Sequence, residues 1–250
     1  VFGNAGLSGF SETSIELLGT ETHYGAFSKV KSSREIVMKI AVKHPDIKGI
    51  AVFLKEAVGL GLATPPGLSG FAGSRPSPSP VVRLFSYTVP KEQVRVQVLL
   101  DDETIACNEV YGEVLNAKAI ARPKTPAADK SMKMVKVPLI ALARGRSGDK
   151  GNKANIGIIA RRQEYLPYIC ATLTEAAVRK RFAHFLGDTK KGCVERYLLP
   201  SSNAINFLLH DVLGGGGVAS IRNDAQGKGY AQLLLSCPIS VPTVIAEMVS

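Results

Sequence analysis

A chain of 250 residues and 26.6 kDa, 45% hydrophobic and 21% charged, holds enough material for a sizeable core in one large domain or two modest ones. No apolar run reaches the roughly 20 residues of a membrane-spanning helix, because the stretches near 50–63 and 231–245 are broken by charge, glycine or proline. The formal charge of +10 resembles a nucleic-acid signal until it is located: residues 118–162 carry twelve Lys and Arg against two acids, Asp129 and Asp149, and account for all of it.

In chain order, Ser32 followed by Glu35 forms a capping-box pattern, and Ile36, Val37, Ile40 and Ala41 recur at helical spacing, so a helix is expected over 33–44 before Pro45. The segment "GIAVFLKEAVGLGLA" has no clean period; Leu54, Lys55, Glu56 and Ala57 tilt it toward helix. The stretch "ATPPGLSGFAGSRPSPSP" is too rich in Pro, Gly and Ser for regular structure. From Val81, "VVRLFSYTV" and "QVRVQVLL" alternate with period two and "DDET" sits where a turn belongs, which predicts an antiparallel hairpin. Residues 119–136 lose periodicity and are rich in lysine and alanine, as expected of a basic linker between domains.

Beyond it, "VPLIALARG" and "ANIGIIARR" are expected to be strands flanking a basic loop. Thr174 is placed to cap a helix with Val178, Phe182 and Phe185 on one side and Arg179, Lys180 and Arg181 on the other, ending at Gly187. "CVERYLLP" reads as a strand and "SSNAINFLLHDVLGG" as a capped helix with Ile205, Leu208, Leu209 and Val212 inward, followed by two strands around "NDAQGKG". The order β-β-α-β-α-β-β predicts an α+β domain with helices on one face of a mainly antiparallel sheet.

The segment "RGRSGDKGNKAN" concentrates the candidate chemistry. Glycines let backbone N–H groups approach an anion and arginine forks bind phosphate or carboxylate at two points, so Arg144, Arg146, Asn152 and Asn155 are candidate anion-binding groups. Asp149, ringed by cations, is expected to stay ionised and to orient, with Lys150 beside it as the second candidate catalytic residue. It is not a Walker A loop, since Lys150 is followed by glycine. A solvated basic hairpin explains the same residues equally well. The run "GGGG" at 214–217 suits a helix C-cap, and beyond that a close backbone approach to a ligand. Arg222 and Lys228, in "SIRNDAQGKG", are expected to meet the basic loop if the last strands pair beside the first.

Cys107, Cys170, Cys193 and Cys237 are far apart and read as reduced core residues, and His23, His44, His184 and His210 show no metal spacing, so no metal site is expected. With no tryptophan and 6% aromatics, RNA is the less favoured partner for the basic window. The chain opens at Val1 without a signal or transit pattern, and an upstream segment is expected.

Taken in order, "LARGRSGDKGNKANIGIIAR", "VERYLLPSSNAINFLLHDVLGGGGVASIRNDAQGKGYAQ", and, earlier, "ETHYG" and "SREIVMKIAVKHP" resemble the acyclic terpene utilisation protein AtuA family, also known as DUF1446, over nearly the whole chain. The chain departs from the family's usual pattern at "AFSK" after the Y-G pair and at Ser74, so no family site is carried over to Tyr24 or Arg75. The resemblance implies that residues 1–118 are the end of a larger α/β domain, 119–136 the linker and 137–250 a ferredoxin-like domain. Members are about twice this length, which makes the remaining N-terminal domain, on the same or a separate chain, the expected partner. The metabolic setting implied is branched or terpenoid acyl-CoA breakdown, with a CoA thioester as substrate, such as a 3-hydroxyacyl-CoA or a carboxylated acyl-CoA, and no resident cofactor. The alternative is a non-catalytic subunit of a larger assembly, such as a carboxylase complex or a mitochondrial ribonucleoprotein. Whether the chain is an enzyme is left open, and the expected compartment is the mitochondrial matrix or the cytoplasm.

Overall fold

The computed structural model describes every residue except 65, 71–75, 108–111, 113–114, 117–118, 187–192 and 250. Ser74, Arg75 and the helix end expected at Gly187 lie outside the described residues.

The first region is a hairpin followed by a helix. Strands β1 (Glu12–Leu18) and β2 (Val37–Lys43) pair antiparallel, Glu12 facing Lys43 and Leu18 facing Val37. The helix expected over 33–44 is therefore a strand: its apolar set reads equally well as near-continuous β, and pairing with β1 sets Ile40 opposite Ile15 and Lys39 opposite Glu16. Helix α1 (Ile47–Ala63) begins where the Asp46 side chain accepts the Lys48 N–H, and it contains the segment that leaned toward helix. A second hairpin joins β3 (Gln97–Leu100) to β4 (Glu103–Ala106) across Asp101 and Asp102, with Asp101 left-handed at φ 51°. The turn sits where "DDET" placed it, but the partner strand follows the turn, and residues 81–90 form no strand.

Residues 121–133 contain neither helix nor strand, and the last residues of the expected linker start β5 (Met134–Pro138). After it come α2 (Leu139–Leu142), β6 (Ala143–Lys150), β7 (Lys153–Ala160), α3 (Leu166–Thr172), α4 (Glu175–Arg181), α5 (Ala183–Leu186), β8 (Val194–Leu199), β9 (Ala204–Leu209), α6 (Tyr230–Leu235), β10 (Pro238–Pro242) and α7 (Thr243–Met248). Four strands form one antiparallel sheet in the order β6-β7-β9-β8, and β10 pairs with β5 in a separate two-stranded ribbon. Helices α6 and α4 pack on one face of the larger sheet, so the α+β reading with a mainly antiparallel sheet holds.

Several elements differ from expectation: residues 139–142 of the expected strand "VPLIALARG" form helix α2, and no strand runs directly into "NDAQGKG". The segment expected as a helix before the glycine run is the inner strand β9, where Ala204, Ile205, Phe207 and Leu209 are buried and Asn206 and Leu208 are half-buried. Positions 205, 208, 209 and 212 satisfy a helical stripe as well as a strand, and the open ladders of β7 and β8 decide for the strand. Conversely, "YAQLLL", expected as a strand, is helix α6, whose Tyr230, Ala231, Leu233, Leu234 and Leu235 are all buried.

The apolar core lies between Leu139 and Ile245, with Phe182, Phe207, Ile156, Ile158 and Ile205 at its centre. Burying each such side chain contributes about 1.5–3 kcal/mol. Thr174 caps α4 by accepting the Ala177 N–H, as its position in the sequence implied. Arg181, expected on the exposed side of α4, is 7% exposed. Val178, Arg181, Phe182 and Phe185 are spaced i, i+3, i+4, i+7, so Arg181 belongs to the inward stripe.

Residues 1–43 rest on this domain through a polar knot. The buried Glu16 carboxylate accepts from the Asn223 backbone N–H at 2.7 Å, pairs with His23 at 3.0 Å and with Lys39 at 3.4 Å, while Lys39 Nζ also donates to the Ile221 carbonyl. Burial alone would raise the Glu16 pKa, but the bonds from His23, Asn223 and Lys39 outweigh it and hold it below the usual carboxylate value.

Candidate functional site

The basic segment is a two-stranded hairpin rather than a loop. Arg144, Arg146, Asp149 and Lys150 all belong to β6, and only Gly151 and Asn152 form the turn into β7. Its glycines are fixed by packing. A Cβ on Gly145 would lie 2.8 Å from Ile158 Cδ1 and 3.5 Å from Ala231, where α6 sits against the sheet, and Gly151 turns the chain at φ +64°. Ser147 completes the junction: its Oγ accepts the Ala231 N–H at 2.9 Å and donates to the Lys228 carbonyl at 3.0 Å.

Strand alternation divides the sequence-predicted residues between two faces. Ala143, Gly145, Ser147 and Asp149 turn toward the helices; Arg144, Arg146 and Lys150 turn to the opposite face. Asp149 and Lys150 thus diverge, and the Lys150 ammonium donates to the Asp149 backbone carbonyl. Asp149 instead approaches Lys228 at 4.0 Å and lies close to Gly217, so Lys228 does meet the basic hairpin.

Asn152 ties the turn to the glycine run. Its side chain donates to Asp211 at 3.2 Å and accepts the Gly215 N–H at 2.8 Å, and its carbonyl accepts the Val212 N–H. A Cβ on Gly216 would stand 2.9 Å from the Gly151 carbonyl oxygen. The close backbone approach expected of "GGGG" is therefore to the hairpin turn of the same chain, and since β9 precedes it, the run caps no helix. Arg222 does not join this group: its guanidinium donates to the carbonyls of Val212 at 2.6 Å and Phe185 at 3.4 Å and lies over the Phe185 ring.

On the face opposite α6 and α4, cross-strand pairing assembles a polar surface. One row runs Arg146, Gly157, Asn206, Tyr197, and the next Gly148, Asn155, Leu208, Glu195. Gly157 leaves a dip between Arg146 and Asn206, since a Cβ there would be 3.9 Å or more from any neighbour. Asn155 donates to Asn206 Oδ1 at 3.3 Å across the floor. Arg144, Arg146 and Lys153 are exposed, and no acid pairs with them among the described residues.

At the far side of the same face stands a cluster the sequence reading missed. The Tyr197 hydroxyl donates to one oxygen of Glu195, and His210 Nε2 meets the other at 2.6 Å. The bonds from Tyr197 and His210 hold Glu195 below the usual carboxylate range, and the Glu195 carboxylate raises Tyr197. Glu195 is thus an ionised acceptor and Tyr197 a protonated donor at neutral pH. The signal for this cluster was the strand period of β8 and β9, which the helical reading of "SSNAINFLLHDVLGG" concealed.

Cys170 and Cys237 are pushed up by burial and remain thiols. No group of three or more His, Cys, Asp or Glu side chains is arranged to hold a metal among the described residues, and none of their helices is long and apolar enough to cross a membrane.

Comparison with known proteins adds two matches, in chain order. Residues 1–100 match the model of the acyclic terpene utilisation family protein AtuA, and residues 137–240 match that of the AtuA ferredoxin-like domain. Neither the curated proteins nor the solved structures give a match. With two of the family's models matching in order over residues 1–100 and 137–240, the chain belongs to the acyclic terpene utilisation (AtuA) family.

Proposed function

We propose that the chain takes part in branched or terpenoid acyl-CoA metabolism by holding the anionic portion of a CoA thioester on the open face of the β6-β7-β9-β8 sheet. Family membership connects the protein to terpenoid metabolism in general terms. The observation that carries the finer reading is the row of Arg144, Arg146 and Lys153, exposed on one face without acidic partners among the described residues, beside the Asn155–Asn206 amide pair. Phosphates and carboxylates are the anions that arginine forks bind at two points. In this reading Arg144, Arg146 and Lys150 take the anion, Asn155 and Asn206 hydrogen-bond a polar group over the Gly157 dip, and a 3-hydroxyacyl or carboxylated acyl chain extends toward Tyr197 and Glu195. Asp149 and Lys228 brace the hairpin from the other side, Asn152 fixes its turn and Arg222 holds the loop behind the glycine run.

The test is a calorimetric titration of acyl-CoA thioesters into the wild type and Arg144→Ala, Arg146→Ala and Arg222→Ala. Loss of affinity by about tenfold or more at Arg144 and Arg146 supports the reading; unchanged affinity in both overturns it.

A second reading, that of a subunit in a larger assembly, is favoured by the exposed apolar side chains of the first region, including Val58 at 74%, Leu62 at 93%, Phe85 at 84% and Leu99 at 77%. Native mass spectrometry of the protein from its source tests it: a stoichiometric companion chain supports assembly, and a lone chain removes its basis.

A further inference from the structure

A cavity of about 580 Å³ lies away from the sheet face, between the turn Thr22–Phe27 and the paired strands β5 and β10. Its size falls within the ~300–1,000 Å³ typical of small-molecule sites. Tyr24, Phe27, Val137 and Pro238 supply apolar walls, and Arg181, Lys29 and Lys136 supply cations.

Arg181 is the unusual member. It is more than nine-tenths buried, yet its partners are all neutral: Nε donates to the Leu233 carbonyl at 3.1 Å, Nη2 to Ser236 Oγ at 2.5 Å, and the guanidinium carbon lies 4.3 Å from the Phe27 ring centre and 5.6 Å from that of Tyr24. No acid forms an ion pair with it among the described residues. Glu21, the acid in the cavity wall, commits Oε2 to the backbone N–H groups of Lys29 at 2.6 Å and Val30 at 3.3 Å. A buried guanidinium without a counter-charge is costly unless an anion compensates it. The two lysines on the rim add positive charge without burial of their own. The cavity thus combines one fixed, desolvated cation, two mobile ones and an apolar remainder. Inorganic phosphate would satisfy the charged corner and leave the aromatic and proline walls wet.

We propose that this cavity binds a small monocarboxylate with an aliphatic body, its carboxylate on Arg181 and Lys136 and its chain against Tyr24, Phe27 and Val137. The site shares no residue with the β6–β7 face, so it stands or falls independently of the acyl-CoA reading.

The test is calorimetry on the full chain with octanoate, the uncharged octanamide and inorganic phosphate as probes, in wild type, Lys136→Glu and Arg181→Lys. Lys136 is exposed on β5, so Lys136→Glu keeps the wild-type melting temperature and reports on binding even if Arg181→Lys unfolds. The expected result is one octanoate per chain, binding about tenfold tighter than octanamide and about tenfold weakened by Lys136→Glu. Equal affinity for octanamide, undiminished octanoate binding in Lys136→Glu, or displacement of octanoate by an equimolar amount of phosphate overturns the proposal.

Discussion

Glu16 Oε2 accepts the Asn223 backbone N–H at 2.7 Å, joining β1 to the loop after the glycine run across 207 residues of chain. The same carboxylate gathers His23 and Lys39, so the first region and the sheet domain meet at one buried negative charge.

Replacing Glu16 with alanine leaves the Asn223 N–H without its acceptor and Lys39 with the Ile221 carbonyl but no counter-charge, at a cost of about 3 kcal/mol. Because the folded pKa of Glu16 lies below its ordinary 4.5, its contribution is complete above that value and is lost as pH falls through the lowered folded value. Urea unfolding of wild type and Glu16→Ala between pH 3 and pH 7 should therefore show curves that differ at neutral pH and converge in acid.

Gly25, with φ +54°, lies against the His184 ring so closely that a Cβ would come within 2.6 Å of Nδ1. Gly25→Ala should separate the first region from α5, lowering stability by about 2 kcal/mol. Amide exchange should show faster exchange in residues 12–43 while β7 and β9 keep their protection.

His184 is held below its ordinary 6.5, first by burial, with the positive charges of Arg222, His23 and Arg181 adding to it, while its bond to the His23 carbonyl opposes the shift. A folded pKa depressed in this way means the unfolded state takes up the proton first, so stability is full above pH 6.5 and declines below it. Thermal melts of wild type should fall more between pH 7 and pH 5.5 than those of His184→Asn.

Gly216→Ala places a Cβ 2.9 Å from the Gly151 carbonyl at a left-handed φ of +92°. The substitution should cost about 2 kcal/mol and displace the β6–β7 turn. Gly217→Ala, where the nearest atoms are at 3.4 Å and φ is not in that region, is the control expected to be milder in the same denaturation experiment.

Strand β7, the α4 cap at Thr174 and the "DDET" turn were legible because each rests on local chemistry: a branched apolar run, a side-chain acceptor and turn-forming acids; β6, whose "ARGRSGDK" carries no such alternation, read as a loop. Strands β2 and β9 were not legible. Their apolar positions fit a helical stripe and a strand alike, and what settles them is ladder pairing with β1, β7 and β8, which no short window contains. The same misreading of β9 hid Asn206 and the Glu195–His210 pair, whereas Arg146 and Asn155 could be picked out from residue type alone. Arg181 was hidden differently: its charge argued for solvent while its spacing from Val178 and Phe182 argued for burial, and the packing of Tyr24 and Phe27 from the first region decides the matter.

Backbone-amide NMR during an acyl-CoA titration reads out whether an acyl-CoA lies on the face bearing Arg144 and Arg146, as proposed. Saturable shift changes are expected at Arg144, Arg146, Lys153, Asn155 and Asn206, suppressed in Arg146→Ala. Saturable changes centred elsewhere, with these five amides unmoved, would contradict the proposal.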